Sequence, residues 1–414
     1  MRLLVVSQYF WPENFRINDL VSELVRRGHD VTVLTGYPNY PDGKIFDDFS
    51  DTPLKFSSYQ GATVVRVPMF ARGQGGLRLV LNYASFAIMG STIGVWRLRG
   101  RPFDAIFVFE PSPITVGIPA VAMRALRRIP IAFWVLDLWP ETLSAVGAVR
   151  RKWVLRLVEM LVGYIYRRCD LILAQSRSFI PQIARHLGGQ DRVVYFPGWA
   201  EAEFTLDRVE PAPEIATAQG VFNVMFAGNI GDAQDFPAIL DAAERLRENS
   251  NIRWLIVGDG RAARWVATEV GRRGLQKSVQ LLGRYPIHRM PSFYRHADAL
   301  LVSLKNDPIF AMTIPGKLQS YLAAGIPVIA MLDGEGGEVV RSAGAGLDCA
   351  AGDSVGLAAA VLALSRMPTD ARAEMGRNGL AVSRREFDRA TLIGKLEQLI
   401  ESMTSASIFV RDRS

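Results

Sequence analysis

A repeated order of apolar strand, helix and apolar strand is the feature that most constrains how this chain can fold. Residues 2–7 (RLLVVS) form a short apolar run, residues 15–27 carry apolar side chains at helical spacing, and residues 30–35 (DVTVLT) form a second apolar run. Gly28 ends the helix. This order predicts a parallel sheet with right-handed crossover connections. Open sheets of this kind bind ligands beyond the carboxyl ends of their strands.

The same order recurs on both sides of a stretch at 196–213 that is rich in proline and charge and has no period. Before it, the predicted elements are strands at 104–109, 130–136 and 170–176 and helices at 115–127 and 150–168, with a loop at 36–60. After it, they are strands at 222–227, 253–257, 279–284, 299–302 and from 328, and helices at 236–248 and 317–324. We therefore predict an α/β protein with two Rossmann-like open-sheet domains, residues 1–198 and 199–385. A C-terminal helix (about 386–403) and tail complete the chain to residue 414.

Length and composition fit two globular domains. The chain has 414 residues, of which 49% are hydrophobic and 21% charged. Cys169 and Cys349 stand in different halves and the four histidines have no zinc-type spacing, which predicts reduced thiols, no metal centre and a cytoplasmic setting. The apolar start of the chain is broken by Ser7 and Gln8, so it reads as a first strand and not as a signal peptide.

Positive charge is concentrated in the first half. Residues 1–200 hold 24 Lys and Arg against 15 Asp and Glu, whereas residues 201–414 hold 24 against 26. Between Asp51 and Asp104 there are seven basic residues and no acidic one. This asymmetry indicates an anionic partner for the first domain alone. Nucleic acid is not favoured as that partner, because no recognised binding module or aromatic–basic motif is present.

Two apolar helices in this basic half predict contact with a membrane. Residues 79–96 (LVLNYASFAIMGSTIGVW) are eighteen uncharged residues flanked by arginines, but their polar side chains and glycines favour a buried or membrane-lying helix over a span. The helix at 150–168 is basic, with Trp153, Leu157, Leu161 and Tyr164 at helical spacing. We expect docking on an anionic membrane surface. A buried helix with solvated arginines is the alternative.

Residues 310–330 (FAMTIPGKLQSYLAAGIPVIA) have the pattern of a loop, a short helix and a buried strand. Pro315 and Gly316 favour the loop, and Gly325 ends the helix. Backbone N–H groups at the start of such a helix, together with the charge of Lys317, suit a diphosphate. An ordinary loop–helix–strand turn has the same pattern, so the residues alone leave both interpretations open.

This stretch resembles the nucleotide-sugar loop of the retaining glycosyltransferases of family GT4, which have the GT-B fold. The resemblance extends from QYFWPENFRINDL near the start to GLDCAAGD beyond residue 345. It is strongest to the bacterial branch that makes surface polysaccharides such as colanic acid and O-antigen. It implies two domains that face each other across a cleft, with the C-terminal helix returning to the first domain.

The resemblance also implies the reaction and its partners. The donor would be a nucleotide-diphosphate sugar, with a UDP-sugar favoured and an N-acetylated deoxyhexosamine as one candidate sugar. The acceptor would be a lipid-linked (polyprenyl-diphosphate) or surface glycan at the inner face of the cell membrane. The donor-binding residues implied are Gly228, Asn229, Gly231, Arg284, Tyr285, Thr313, Pro315, Gly316 and Glu335.

The second domain departs from the family pattern at two points. Met312 and Ser320 stand where most members have two glutamates, so Glu335 or Glu338 could supply the carboxylate for the donor ribose. Both are predicted to lie on a glycine-rich loop at a strand end, and flexible surface charge is the alternative. In GNIGDAQ, Asn229 and Gln234 stand where most members have an arginine and a lysine. Lys317 is then the leading partner for the diphosphate. Arg284 and Lys305 are substitutes by charge alone, and solvated surface charge is the alternative for both.

The first domain departs from the pattern as well, because Leu136-Asp137 replaces the histidine of many members. Asp137 could orient a sugar hydroxyl or act as a base, or it could be structural. If Pro140 is the first residue of the following helix, Asp137 is not its cap. The loop at 8–14 lacks the usual glycines; Glu13 and Asn14 are candidates for acceptor contacts, unless the loop is a packed aromatic plug.

No D-x-D motif occurs in the sequence, so we expect no metal and no other cofactor. The leaving diphosphate would then be stabilised by backbone amides and side chains. Three functions remain open: a glycosyltransferase, a sugar-nucleotide epimerase on the same scaffold, and a non-catalytic membrane-docked scaffold. The first is favoured, because an epimerase would need more acid–base residues than the sequence offers.

Overall fold

The computed structural model of the chain describes residues 1–41, 43–73, 76–145, 147, 149, 151–200 and 209–411. It divides into two compact units: Met1–Phe196 with Ala390–Ser414, and Pro197–Arg389. The sequence predicted divisions after residues 198 and 385. Part of the predicted linker (201–208), Arg150 of the predicted basic helix, and the tail at 412–414 lie outside the described residues.

The first unit contains an eight-stranded sheet in the order β3-β4-β2-β1-β5-β6-β7-β8, parallel except for the β3–β4 pair. Its strands are β1 (Arg2–Val6), β2 (Asp30–Gly36), β3 (Ser58–Tyr59), β4 (Ala62–Val67), β5 (Ala105–Glu110), β6 (Ile131–Val135), β7 (Leu171–Ala174) and β8 (Val193–Tyr195). Its helices are α1 (Arg16–Arg26), α2 (Asp47–Asp51), α3 (Gly76–Met89), α4 (Val95–Arg97), α5 (Gly117–Arg127), α6 (Glu141–Ala145), α7 (Lys152–Tyr166) and α8 (Phe179–Ala184). The strands that precede β5 in the chain lie on one side of β5 in the sheet, and the strands that follow it lie on the other. The order of strands therefore reverses between β1 and β5, and such a reversal leaves a crevice at the carboxyl ends of these two strands.

The second unit contains a six-stranded parallel sheet in the order β11-β10-β9-β12-β13-β14. Its strands are β9 (Phe222–Ala227), β10 (Ile252–Val257), β11 (Val279–Gly283), β12 (Ala299–Ser303), β13 (Val328–Met331) and β14 (Gly346–Cys349). Its helices are α9 (Phe236–Arg245), α10 (Ala263–Arg272), α11 (Met290–Tyr294), α12 (Pro308–Ala311), α13 (Gly316–Ala324), α14 (Glu335–Ala343), α15 (Ser354–Arg366) and α16 (Thr369–Glu386), and α17 (Arg389–Arg411) follows. Here the reversal lies between β9 and β12. Both units thus have the predicted α/β architecture.

The complete burial of several strands explains why their apolar runs were recognised as strands from the sequence. Every residue of β5, β6, β9 and β12 is buried, as expected for parallel strands covered by helices on both faces. The loop predicted at 36–60 was wrong in part, because it contains α2 and β3. Elements of two to five residues are too short to show a period. The strands β4, β8 and β14 were also missed; β8 and β14 have three and four residues, whereas β4 has six.

The predicted apolar helix at 79–96 lies in a continuous helical segment, Gly76–Arg97, made of α3, a π-helical turn at Gly90–Gly94, and α4. Within the described residues it is the one helix long and apolar enough to cross a membrane by length and composition. It packs closely on its unit, because a Cβ atom at Gly90 would lie 2.6 Å from Pro119. Phe86 is buried, but Leu77, Val80, Leu81, Ile88 and Trp96 are exposed. The helix therefore has one packed face and one uncovered apolar face within its unit.

A second uncovered apolar face belongs to α7. Trp153, Leu157, Met160 and Tyr164 recur at helical spacing and are all exposed, while Val162 and Ile165 on the other side are buried. Of the four residues that the sequence placed on one face, Trp153, Leu157 and Tyr164 are exposed, and Leu161 is partly buried. Helix α5 packs against both α3 and α7. Exposed apolar stripes on two helices are uncommon on a monomer and mark a contact surface.

The C-terminal helix α17 belongs to the first unit, as predicted for the GT-B fold. It begins at Arg389 and not at 386, because Glu386 is the last residue of α16 and Phe387 is buried at the break. Glu397 is its anchor: Oε1 lies 2.6 Å from His29 Nε2 and Oε2 accepts from Arg27 Nη1 at 2.6 Å. Lys395 Nζ donates to the carbonyl of Tyr195 at 2.9 Å.

We predict that Glu397→Gln lowers the free energy of unfolding by about 1–2 kcal/mol, because hydrogen bonds to a charged group are lost. Burial would raise the pKa of Glu397, but hydrogen bonds from His29 and Arg27 hold it below its ordinary value. This contribution is therefore present above the unfolded pKa and lost as the pH falls through the folded pKa. Denaturant titration against pH measures it. Glu401→Gln, an exposed site on the same helix, is the control, and equal losses in both variants would contradict the anchor role.

Candidate active site

The carboxyl end of β9 is fixed by a tyrosine from helix α13. The hydroxyl of Tyr321 accepts from Ala227 N at 2.9 Å and donates to Ala227 O at 3.0 Å. Tyr321 is fully buried, so this pair of hydrogen bonds is shielded from water. Residues four apart lie on the same side of a helix, which places Lys317 one turn before Tyr321 and beside the end of β9.

Lys317 occupies an unusual place for a lysine. Its Nζ lies 3.7 Å from the centroid of the Phe226 ring. A Cβ atom built on Gly228 would lie 2.4 Å from Lys317 Cε, and the φ of +139° at this position is strained for any residue with a side chain, so glycine is favoured there. Burial lowers the pKa of Lys317 to about 7. Within the described parts of the chain no carboxylate pairs with its ammonium group.

The start of α13 supplies further donors next to Lys317. Pro315 is the N-cap, and Gly316 is exposed as the first helical residue. The N–H groups of a first helical turn have no partner within the helix, and they carry the positive end of the helix dipole. Thr313 directs its hydroxyl to the carbonyl of Ile309 at 2.9 Å, so this predicted donor-binding side chain holds its own loop. An anion at the start of α13 would meet backbone donors and a lysine together.

Glycines allow two loops to pack together at the ends of β9 and β10. Gly228 N donates to Val257 O at 2.8 Å, and Ile230 N donates to Asp259 O at 2.9 Å. A Cβ atom on Gly258 would lie 1.9 Å from Gly228 O. The glycines at 258 and 260 thus serve the packing of these two loops.

Gln234 and Asn229 stand where the family has basic residues, and both shape the loop. Gln234 Oε1 accepts from Gly231 N at 3.0 Å, which closes a tight turn. Asn229 Oδ1 would lie 2.6 Å from a Cβ atom on Gly260, so it is packed against the neighbouring loop. Neither side chain carries a positive charge, so neither can take the place of the family's arginine or lysine. Among the described residues, Lys317 brings a positive charge to the end of β9.

The structure gives less support to the other basic candidates. Arg284 and Lys305 are exposed, and the backbone N–H of Lys305 donates to Ala233 O. The Tyr285 ring packs against Phe293 at a 45° tilt with ring centroids 4.5 Å apart, and Tyr285 is partly exposed just after β11. Its contact with a nucleotide base remains a prediction.

Glu335 and Glu338 were placed on a glycine-rich loop, and this was wrong: both belong to helix α14, which starts at Glu335. Gly336 and Gly337 are buried because the helix packs closely, and a Cβ atom on Gly336 would lie 3.2 Å from Pro315 Cδ. This contact brings the start of α14 against the loop that precedes α13. Glu335 therefore lies next to the candidate anion site, whereas exposed Glu338 pairs with Arg341 at 3.0 Å.

In the first unit, Asp137 lies two residues after the last residue of β6. Its Oδ1 accepts from the Thr142 hydroxyl at 2.6 Å. Burial raises its pKa to about 6, although the Thr142 hydrogen bond opposes the shift. The following helix begins at Glu141, one residue later than the sequence suggested, so Pro140 precedes it. Asp137 bonds a side chain of that helix and does not cap its backbone.

Glu13 is buried and serves the backbone. Its carboxylate accepts from Asn39 N and Tyr40 N, both at 2.7 Å, and from Phe10 N at 3.1 Å. Burial raises the pKa of Glu13 to about 7, and these amides act against the rise. With every contact made to backbone, Glu13 holds two loops together. Asn14 is exposed, and its acceptor contact remains a prediction.

Sequence reasoning missed a polar cluster between β1, β5, β6 and α3. Glu110 ends β5 and is fully buried. Asn82 Oδ1 accepts from Tyr9 Oη at 3.0 Å and from Gln8 Nε2 at 2.8 Å, and Arg72 lies over the Tyr40 ring at 5.3 Å. A charged residue directly after an apolar run was a usable signal for Glu110, but the predicted strand stopped at 109. Nothing in the sequence linked Asn82 to Tyr9.

Among the described residues no three His, Cys, Asp or Glu side chains come together as metal ligands. The expectation of a metal-independent reaction remains a prediction. The start of α13 in the second unit offers the hydrogen-bond donors that an anion needs. In the first unit, the Asp137 carboxylate lies near the carboxyl end of β6.

Two family models match the chain in succession. The glycosyl transferase 4-like domain matches residues 14–199, and the glycosyl transferases group 1 domain matches residues 221–367. Together they span most of both units. The chain is therefore a glycosyltransferase, and its two parallel-sheet units have the GT-B fold. Within that class it belongs to the GT4-like family.

Individual relatives agree with this assignment. The colanic acid biosynthesis glycosyl transferase WcaI of Escherichia coli K12 is 25% identical over 344 residues, covering 78% of this chain and 82% of WcaI. HepE from Anabaena, solved with UDP and glucose, superposes with a TM-score of 0.70 at 16% identity, covering 97% of this chain and all of HepE. WaaG, a glycosyltransferase involved in lipopolysaccharide biosynthesis, gives a TM-score of 0.67 at 14% identity and covers 97% of this chain and 99% of WaaG.

We predict that Lys317→Met stabilises the free protein. The folded pKa of about 7 lies below the ordinary value of 10.5, so the unfolded state binds more protons between these values and wild-type stability rises with pH there. The gain from methionine should be largest below about pH 7 and shrink as the pH rises. Thermal melts over a pH series measure it. Lys305→Met, at an exposed lysine, should change little; a destabilised Lys317→Met protein would contradict the unpaired charge.

Proposed function

We propose that this chain is a retaining glycosyltransferase that moves a sugar from a nucleotide-diphosphate sugar to a lipid-linked glycan at the inner face of the cell membrane. The observation that carries the donor half of the proposal is the Lys317 ammonium, which has no carboxylate partner among the described residues and lies beside Gly228 in the first turn of α13. A UDP-sugar is the favoured donor; HepE, with the same fold, was solved with UDP and with UDP-glucose.

The diphosphate fits this site on grounds of charge and geometry. The Lys317 side chain and the N–H groups of Gly316 and Lys317 all belong to the first turn of α13, so positive charge is concentrated there. A diphosphate loses its bond to the sugar during transfer and gains negative charge as it leaves. Donors that are already in place for that charge lower the barrier, because they need no reorganisation. This arrangement requires no metal ion.

Glu335 is the proposed partner of the donor ribose. It lies at the start of α14, which packs against the Thr313–Pro315 loop, and it stands in for the glutamates replaced by Met312 and Ser320. Tyr285 is proposed to stack on the base, with Arg284 nearby. Both lie at the end of β11 in the same unit.

The proposed chemistry retains the configuration of the sugar. The bond from the anomeric carbon to the diphosphate oxygen breaks, the acceptor oxygen bonds to the same face, and the acceptor proton passes to the leaving phosphate. Asp137 is proposed to orient a sugar hydroxyl through its carboxylate. The family models favour transfer over the alternative of a sugar-nucleotide epimerase.

The proposed acceptor is lipid-linked, as a polyprenyl-diphosphate glycan. The two uncovered apolar faces on α3 and α7, in a unit that carries the excess of arginine and lysine, support this choice. Arginine side chains can bury their stems beside such faces and keep their charges at lipid headgroups. The first unit is therefore proposed to dock on an anionic membrane without crossing it, as a peripheral protein on the cytoplasmic side.

We predict that Lys317→Ala lowers transfer about 10²–10³-fold, or about 2.7–4 kcal/mol, because one donor to the leaving group is lost. At mildly alkaline pH, UDP binding to the wild type should take up a proton, since the anion restores the lysine charge. Calorimetry in buffers of different ionisation enthalpy measures this uptake. Lys305→Ala is the control. Unchanged turnover and UDP affinity in Lys317→Ala would remove the residue from the site.

We predict that the protein floats with anionic liposomes and that high salt releases it. Each basic residue near the surface contributes about 1 kcal/mol, and each exposed Trp or Leu adds about 1.5–3 kcal/mol on full burial. Trp153→Ser combined with Leu157→Ser should weaken binding, whereas Trp265→Ser, an exposed tryptophan of the second unit, should not. Binding that resists salt and needs detergent would indicate a span, and absence of binding would refute docking.

A further inference from the structure

Two carboxyl groups lie at the carboxyl ends of neighbouring strands in the first unit. Glu110 is the last residue of β5 and pairs in register with Val135, the last residue of β6. Asp137 follows two residues later. Its backbone N–H points to Glu110 Oε2 at 3.4 Å, and the backbone of Leu136 donates to the carbonyl of Glu110 at 3.1 Å.

The two groups differ sharply in their surroundings. Glu110 has no exposed surface, and its Oε1 is buried without a hydrogen-bond partner in the described part of the chain. Asp137 is partly exposed, and its Oδ1 accepts from the Thr142 hydroxyl at 2.6 Å. A bare buried oxygen disfavours a negative charge, whereas a hydrogen-bonded and partly exposed oxygen tolerates one.

Within the described residues, no cation is among the groups that act on the pKa of Glu110 or Asp137, although Arg72 acts on the neighbouring Tyr83. Tyr83 of α3 interacts electrostatically with both carboxyl groups, and Tyr166 of α7 interacts with both as well. The Tyr166 hydroxyl is itself buried and unpartnered among the described residues. Burial has the largest effect on the pKa of Glu110 and raises it, and the charge of Asp137 raises it further. Hydrogen bonds from the backbone N–H groups of Asp137 and Leu136 lower it. Two negative charges in this pocket would repel without a cation to offset them.

We infer that Glu110 and Asp137 form a carboxyl pair with one proton and one negative charge, in which Glu110 keeps the proton and acts as a positioning residue for the Asp137 carboxylate. The paired groups titrate as a unit, and the environment assigns the charge to Asp137. The inference rests on the proposed function only for the use of that charge, which is to accept a hydrogen bond from a sugar hydroxyl.

Infrared spectroscopy tests the pair without any substrate. Glu13, whose pKa lies at about 7, adds to the C=O band of protonated carboxylic acids at neutral pH, so each variant is compared with the wild type by difference. Glu110→Gln should remove one component of this band, whereas Asp137→Asn should leave that component in place. Glu141→Gln, a glutamate that pairs with Arg185 at 2.9 Å, is the control and should leave the band unchanged. A band of unchanged intensity in Glu110→Gln, or loss of the same component in Asp137→Asn, overturns the inference.

If Glu110→Gln does not fold, wild-type protein labelled with ¹³C-glutamate gives the answer. A protonated glutamate band should persist well above the pKa of Glu13, which lies at about 7. Loss of the whole band by that pH overturns the inference. Since neither spectrum depends on transfer, a failure of the proposed function leaves this result standing.

The pH profile of transfer separates a positioning role from a merely structural one. In the wild type, ionisation of Glu110 at alkaline pH adds a second charge beside Asp137 and should lower kcat. Glu110→Gln cannot ionise, so its alkaline limb should move upward by about one pH unit or more. Superimposable profiles, with reduced thermal stability alone, would reduce Glu110 to a packing residue and overturn its positioning role.

Discussion

The two hydrogen bonds between Tyr321 and Ala227 are the constraint on which the second unit's site depends. They join the middle of α13 to the last residue of β9, and they do so in a fully buried place. The position of Lys317 follows from helix geometry once Tyr321 is fixed. The Gly228 loop must then leave room for the lysine stem, and the start of α14 packs against the loop before α13. One tyrosine thus positions the lysine, the helix start and the neighbouring Glu335 together.

In each candidate site an ionisable side chain lies where burial disfavours its charged form. Burial lowers the pKa of Lys317 to about 7 and raises that of Asp137 to about 6, so each group is held close to its point of ionisation at neutral pH. Such groups cost the free protein stability, and they are retained where a ligand supplies the missing partner. Glu13 is buried as well, but three backbone amides surround it, and this completeness separates a structural carboxylate from a functional one.

The sequence predicted the α13 region well because its signals are local. Pro315, Gly325 and the apolar strand after it define a loop, a helix end and a strand within twenty residues, and the structure has Gly316–Ala324 as helix and Val328–Met331 as strand. It failed at Glu335, where two glycines suggested a loop; they lie in a helix because only they allow its close approach to Pro315 and Leu332. It also failed for Glu110 and for the role of Glu13, because their partners stand 27 and 26 residues away in sequence. The order of the strands in the sheet decides which of these residues come into contact, and a local sequence pattern does not predict that order.

Helix α3 connects the polar cluster of the first unit to its uncovered apolar surface. Val80 and Leu81 are exposed, and the next two residues, Asn82 and Tyr83, turn toward Tyr9, Glu110 and Asp137. These four consecutive residues span about one turn of α3, so their side chains point to all sides of the helix. A rotation of α3 about its own axis that pressed the apolar side into a membrane would therefore also move Asn82 away from its hydrogen-bond partners. The close packing of Gly90 on Pro119 and of Gly94 on Leu34 resists that rotation. Docking at the apolar face would therefore leave the polar cluster in register, and a lipid-linked acceptor would reach it from a surface of fixed orientation.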